Sequence, residues 1–384
     1  MTGKVQDVRI TPDLATVSGD LGLLADLAGT WRGHGFNLIA RPDFQGNAPL
    51  YLQLNQTDET LQLDPIGSPV PDRGFGQDDI ELFGLNYLDK ITDRFTDGAL
   101  HIETGFWTTQ PSTTYPPETS PGNGQIIARL ATIPHGTSVL AQGAASAFTG
   151  PPTLTEGGQQ YAFSVFPSFN STPFPIPNPP TGFKINAAGS SEAKSAPAGA
   201  HGGFSEYNIS NAASSTNPRT PFDTNPPDPQ LPAFIDGVAM QDVVDDPILL
   251  LQSAVKTQVA DGYGFEGAAL NVASEPTITF LTEQDNPGGN SVPITVPDAA
   301  GGIENTLFLE GADQQGTVGD VGPNAFTSLV YATFWIEKVT HPERPPFMQL
   351  QYAQMTVLNF NILGTTALLG WPHVSVATLR KSFL

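Results

Sequence analysis

Cysteine is absent from all 384 residues, which removes disulfide staples, zinc ribbons, thiolate haem ligation and cysteine nucleophiles together. Folding must then rest on burial alone. Positive charge is scarce: 16 lysines and arginines stand against 38 acidic residues, a formal net charge of −22. Such a surface repels phosphate backbones and anionic membranes, so neither nucleic acid nor a lipid headgroup layer is an expected partner. Long apolar runs are also missing, with nothing near the ~20 residues that a membrane-spanning helix needs. No apolar stretch follows Lys4 as it would in a signal or transit peptide. A cytoplasmic location is the expectation, and the N-x-S/T triplets at Asn55, Asn170 and Asn208 read as chance matches.

What is abundant is turn chemistry. The 39 glycines and 36 prolines, with few helix-forming Lys and Glu, describe many short strands joined by turns and hence an all-β class. A short helical piece around Leu21 to Leu27 leads into a first strand over Trp31 to Ala40. The alternating leucines from Leu50 to Leu63 are interrupted by Asn55 to Thr60, which reads as a hairpin with a polar turn. Further strands are expected over Leu100 to Thr109, Gly124 to Ile133, Thr137 to Gly143, Thr277 to Leu281 and Thr306 to Leu309, with three long ones over Ser328 to Val339, Phe347 to Phe360 and Trp371 to Lys381. One helix is expected over Asp246 to Val259, with Asp246 as N-cap and Pro247 in its first turn. The chain divides into N-terminal barrel strands (1–150), an irregular Pro/Gly-rich insertion (151–302) and C-terminal strands (303–384) that close the same barrel.

The C-terminal strand is the most informative. At a side-chain period of two, Trp371, His373, Ser375, Ala377 and Leu379 share one face, and Val374, Val376, Thr378 and Arg380 the other. A histidine among small residues leaves room for a flat ligand and offers it one nitrogen.

Three segments together carry a family resemblance. Leu27-Ala28-Gly29-Thr30-Trp31 resembles the G-T-W opening of calycin barrels, the group that includes lipocalins and fatty-acid-binding proteins. His101-Ile102-Glu103-Thr104-Gly105-Phe106 resembles the H-x-E-x-G-F strand of nitrobindins. His373-Val374-Ser375-Val376 resembles their last strand, whose histidine binds haem iron. The chain is therefore similar to nitrobindin-type haem-binding barrels over about half its length, although those domains are far shorter and have no counterpart to the insertion. The resemblance implies an antiparallel up-and-down β-barrel, haem b held by His373, and NO binding or peroxynitrite isomerisation at the open iron face. It leaves open whether the protein is a haem-dependent isomerase, a peroxidase-type enzyme or a binder.

Beside His373, the cofactor-binding candidates are Trp371, Ser375, His101, Glu103, His34 and His135. His101 and Glu103 share a strand face and read either as a pocket pair or as an internal hydrogen bond closing the barrel. His34, between two glycines, is a second-choice ligand or a solvated turn residue. His135 sits at a Pro-His-Gly hairpin tip that could cover the mouth. Trp31 and Arg380 are expected to stack across the seam. His201 and His341 receive no role. Gly262-Tyr263-Gly264-Phe265-Glu266-Gly267 fits G-x-G-x-x-G but follows a helix, so it fails as a dinucleotide fingerprint. The neighbouring Asp78-Asp79 and Asp245-Asp246 do not form acid/base dyads. Few acids or arginines are evident near the iron, which argues against strong peroxidase chemistry. The competing functions are a haem-free lipocalin-like carrier of an apolar small molecule and a structural β-protein; neither needs an inward histidine.

Overall fold

The structure is a computed structural model that describes residues 14–43, 48–73, 76–114, 117–118, 124–133, 138–154, 232–274, 279–280, 293–294, 326–361 and 368–382. Ten strands close into an antiparallel barrel: β1 Gly29–Asp43, β2 Ala48–Pro65, β3 Ile80–Asp93, β4 Ala99–Gln110, β5 Gly124–Thr132, β6 Ser138–Thr149, β7 Gly264–Ser274, β8 Phe326–His341, β9 Arg344–Asn361 and β10 Leu368–Ser382. Each pairs with its neighbour in sequence, and β10 pairs back onto β1 with Trp31 opposite Lys381. This is the up-and-down topology that leaves no free edge. A three-residue strand, Val70–Asp72, extends the sheet along the start of β3.

Period-two alternation gives every strand a lumenal face, and divides β1, β2 and β7 to β10 between two cores. The lumen holds one apolar cluster to which all ten strands contribute, including Trp31, Leu61, Leu85, Trp107, Leu270 and Leu379. Helix α1 (Leu14–Leu21) and the 3-10 segment Gly22–Leu27 bury Leu24 and Leu27 in that cluster. The indole of Trp31 donates from Nε1 to the Leu27 carbonyl at 2.7 Å, fixing the segment to the entry of β1.

The second cluster lies outside. Helices α2 (Met240–Asp245) and α3 (Leu249–Ala260) lay Val243, Val244 and Leu251 against Phe36, Val374 and Trp335 on the outer wall. Those strand residues alternate with lumenal ones, which are apolar beside Trp335 (Phe334 and Ile336) and polar beside Val374 (His373 and Ser375).

Several elements differ from the sequence reading. Leu50 to Leu63 is one continuous strand: Asn55, Thr57 and Glu59 are polar because they face the lumen, where they are buried. β3 was not expected, and β7 runs inside the stretch read as insertion, dividing it into connections over 150–263 and 275–325. The α3 helix begins at Leu249 with no side-chain cap, the Leu249 and Leu250 amides bonding to the Asp246 and Pro247 carbonyls. Thr279–Phe280 pairs with Pro293–Ile294 rather than joining the barrel, and Thr306 to Leu309 lies outside the described residues. The G-x-G-x-x-G run leaves a helix through Gly262 at positive φ and enters β7, as its rejection required. Among the described residues no helix is long and apolar enough to cross a membrane.

Candidate functional site

The lumen carries the chemistry. His373 lies on the lumenal face of β10 with Ser375, alternating with the outward Val374 and Val376. Across the register it faces Ile39 of β1 and Thr356 of β9. The residue is half-buried, but its Nε2 is shielded from solvent and has no hydrogen-bond partner. The ring bonds instead to the Ala40 backbone. With Nε2 free, that bond falls to Nδ1–H and the carbonyl, which fixes the tautomer. Burial, reinforced by the Arg41 charge, pushes the imidazole down to about 3, so it is neutral with a lone pair on Nε2. A neutral imidazole, oriented through Nδ1 and open at Nε2, is what a single-histidine metal ligand requires. Among the described residues no three His, Asp or Glu side chains gather as a metal-binding group, whereas a haem iron takes only one protein ligand on that side.

A polar network crosses the middle of the lumen. Leu61 stands opposite Asp89, and Asp89 opposite Glu103, so the register brings the carboxyls of β2, β3 and β4 into adjacent positions. Arg129 of β5 reaches Glu103 at 2.5 Å, the Tyr87 hydroxyl at 3.1 Å and Gln354 of β9 at 2.5 Å. Tyr87 donates to Glu103, and His101 Nε2 lies 3.1 Å from its other oxygen. From β9, the Tyr352 hydroxyl donates to Glu59 on β2 at 2.6 Å. Beneath the guanidinium lie aromatic faces: Arg129 is 5.2 Å from the Phe334 ring centre and 5.8 Å from that of Trp107.

Electrostatics sort the three carboxyls. Burial alone would raise Glu103, but Arg129, then His101 and Tyr87, hold it down at about 2. Burial raises Glu59 to about 7, opposed by the Tyr352 bond and assisted by Glu103. Asp89 is raised well above the usual range by burial and by its neighbours Glu59 and Glu103.

The sequence candidates separate accordingly. His373, Ser375, His101 and Glu103 face the lumen, and His101 with Glu103 forms the internal pair. His34 does not: it points outward and bonds through Nε2 to Asp236 at 2.9 Å, in the turn of the Phe234–Ala239 hairpin. An even position on β1 shares the face of Phe36, which lies in the outer cluster. Trp371 is paired in β10 by its backbone, opposite Leu358, and His135 lies outside the described residues. Trp31 is covered by Lys381, at 5.2 Å, while Arg380 stacks on Phe347 at 4.0 Å, because neighbouring residues point to opposite faces. The lumen does hold buried charged groups, Glu59, Asp89 and Arg129, that the sequence did not single out. One signal for Arg129 was available: it is the only charge in Gly124–Thr132 and shares a face with Ile127 and Ala131.

Comparison with known protein families, characterised proteins and solved structures found no match.

Proposed function

We propose that the barrel is a small-molecule-binding protein whose cofactor is haem b, held through His373 in the manner of nitrobindin-type barrels. The supporting observation is the shielded, unpartnered Nε2 of a neutral imidazole on the lumenal face of the last strand, with its other nitrogen engaged by the backbone. Leaving a buried acceptor unmade costs about 1–3 kcal/mol, a cost that a ligand bond would offset. Bound there, haem supplies an iron coordination position for a small molecule such as NO or peroxide. The protein's own part is to keep His373 unprotonated, fix its ring and place hydrogen-bonding groups in the same lumen. Ser375, His101 and Glu103 belong to this reading as residues lining or bracing the site.

A haem-free carrier of an apolar molecule is less well served, since the centre of the lumen carries Glu59, Asp89, Glu103 and Arg129. Haemin titration followed at the Soret band separates the two. Wild type is expected to give a saturable, one-to-one spectrum that His373→Ala loses or shifts. No saturable binding to wild type would reject haem and leave the carrier.

A further inference from the structure

Four carboxyls are buried on the lumenal face; Asp93 is satisfied by Asn55 and by the Phe95 and Thr96 amides, and the other three, Glu59, Asp89 and Glu103, share the lumen with one guanidinium, Arg129. Ionising all three carboxyls would leave two buried negative charges without a buried counter-charge, each carrying a desolvation cost of several kcal/mol. The geometry decides which one is charged. Arg129, Tyr87 and His101 converge on Glu103. Glu59 has the Tyr352 hydroxyl on Oε2 and no partner on Oε1; Asp89 has the Lys90 amide and no partner on Oδ1. Glu59 is 4% exposed and Asp89 9%, so solvent does not complete either group.

We propose that Glu59 and Asp89 are a pair of neutral carboxylic acids that donate hydrogen bonds, and one proton, to an acceptor oxygen of the small molecule in the barrel. The inference rests on reading the lumen as the ligand site; only its second test below depends on haem. Protons on the two free oxygens create donors that lack a protein acceptor. They suit a ligand with exposed oxygen lone pairs, such as a peroxide or an oxoanion, and not an ammonium. In the transfer, the O–H bond of one acid breaks, the ligand oxygen gains the proton and the electron pair stays on the carboxylate. On Glu59 that carboxylate is met by the Tyr352 hydroxyl. The second acid keeps its proton because ionising both would restore the like-charge repulsion, and solvent returns the lost proton after the product leaves.

The groups facing the pair agree with this assignment. Burial lifts both acids, Glu103 adds to the lift, and Arg129, Tyr352 and the Lys90 amide lower it without reversing it.

Infrared difference spectra of the haem-free protein at pH 6, in H2O and D2O, test the protonation. The wild type should show deuterium-sensitive C=O stretching bands of protonated carboxyls, one component vanishing in Glu59→Gln and another in Asp89→Asn. If neither variant removes a band, the acids are ionised and the proposal fails. Ligand contact is read from the C–O stretch of carbon monoxide on the reduced, haem-loaded protein. A shift in either variant supports contact, and an unchanged frequency in both rejects it. Failure of haemin to bind would overturn the cofactor reading alone, leaving the haem-free spectra to decide the pair.

Discussion

Arg129 shows how much one lumenal residue can hold. Its guanidinium joins Glu103, Tyr87 and Gln354 and covers the faces of Phe334 and Trp107. Removing it takes the guanidinium from the buried Glu103 carboxylate and leaves only Tyr87 and His101 on it, a loss of about 3–5 kcal/mol. Arg129→Met should therefore lower the urea midpoint strongly, whereas Glu103→Gln with Arg129→Met should recover part of the loss. Glu59 acts in the opposite sense. Below its unfolded value of 4.5 the carboxyl is protonated in both states; from there to about 7 only the folded chain keeps the proton, so stability falls as pH rises. Above that window a constant penalty remains, on the order of 3 kcal/mol at ~1.4 kcal/mol per pH unit. Glu59→Gln should be more stable than wild type at pH 8 and nearly equal to it at pH 4, as measured by urea unfolding at both pH values.

At the scale of elements, the outer helices and the lumen are separate packing problems. Helix α3 buries Leu251, 1% exposed, in the external cluster with Val374 and Val376 of β10. Leu251→Ala should cost about 3 kcal/mol by denaturant unfolding while leaving haemin affinity unchanged, since no lumenal group is touched. Another buried acid, Glu337, sits in the external layer. Burial raises it to about 8, and Gln349, bonded to it at 2.6 Å, also reaches Gln258 of α3 at 2.8 Å. Close approach between strands excludes a side chain at Gly105, where a Cβ would lie 2.0 Å from the Leu130 carbonyl oxygen. The H-x-E-x-G-F pattern thus contains a residue required by sheet geometry as well as a polar pair.

Elements with one apolar and one distinctive face were legible in the sequence. β10 alternates cleanly, so the lumenal placement of His373 followed from period two, and the glycine-flanked Trp31 marked the entry of β1. β2 was obscured because both of its faces are polar from Asn55 to Thr60: Gln56 and Asp58 point outward, while Asn55, Thr57 and Glu59 are buried. A polar lumen makes a strand resemble a turn. The same property hid Asp89 and therefore the three-carboxyl cluster, which exists only through the register of β2, β3 and β4. His34 illustrates the converse: its glycine neighbours suggested access to a cavity, but its partner Asp236 comes from a distant hairpin that no local pattern announces.

At the scale of the whole molecule, ten sequential strands enclose a lumen lined by an apolar cluster, crossed by a polar network and carrying an unpartnered imidazole nitrogen on its wall. The outer helices pack against Val374 and Val376 of the strand that carries His373, bracing that wall from outside. On the proposed reading this nitrogen holds a haem iron. The most direct measurement is the iron–histidine stretching band in the resonance Raman spectrum of the reduced, haem-loaded protein, recorded for wild type and for His373→Gly with and without free imidazole. A band is expected in wild type, with its loss in the variant and its return with imidazole. A band that persists unchanged in His373→Gly would contradict the reading and assign the iron to another ligand.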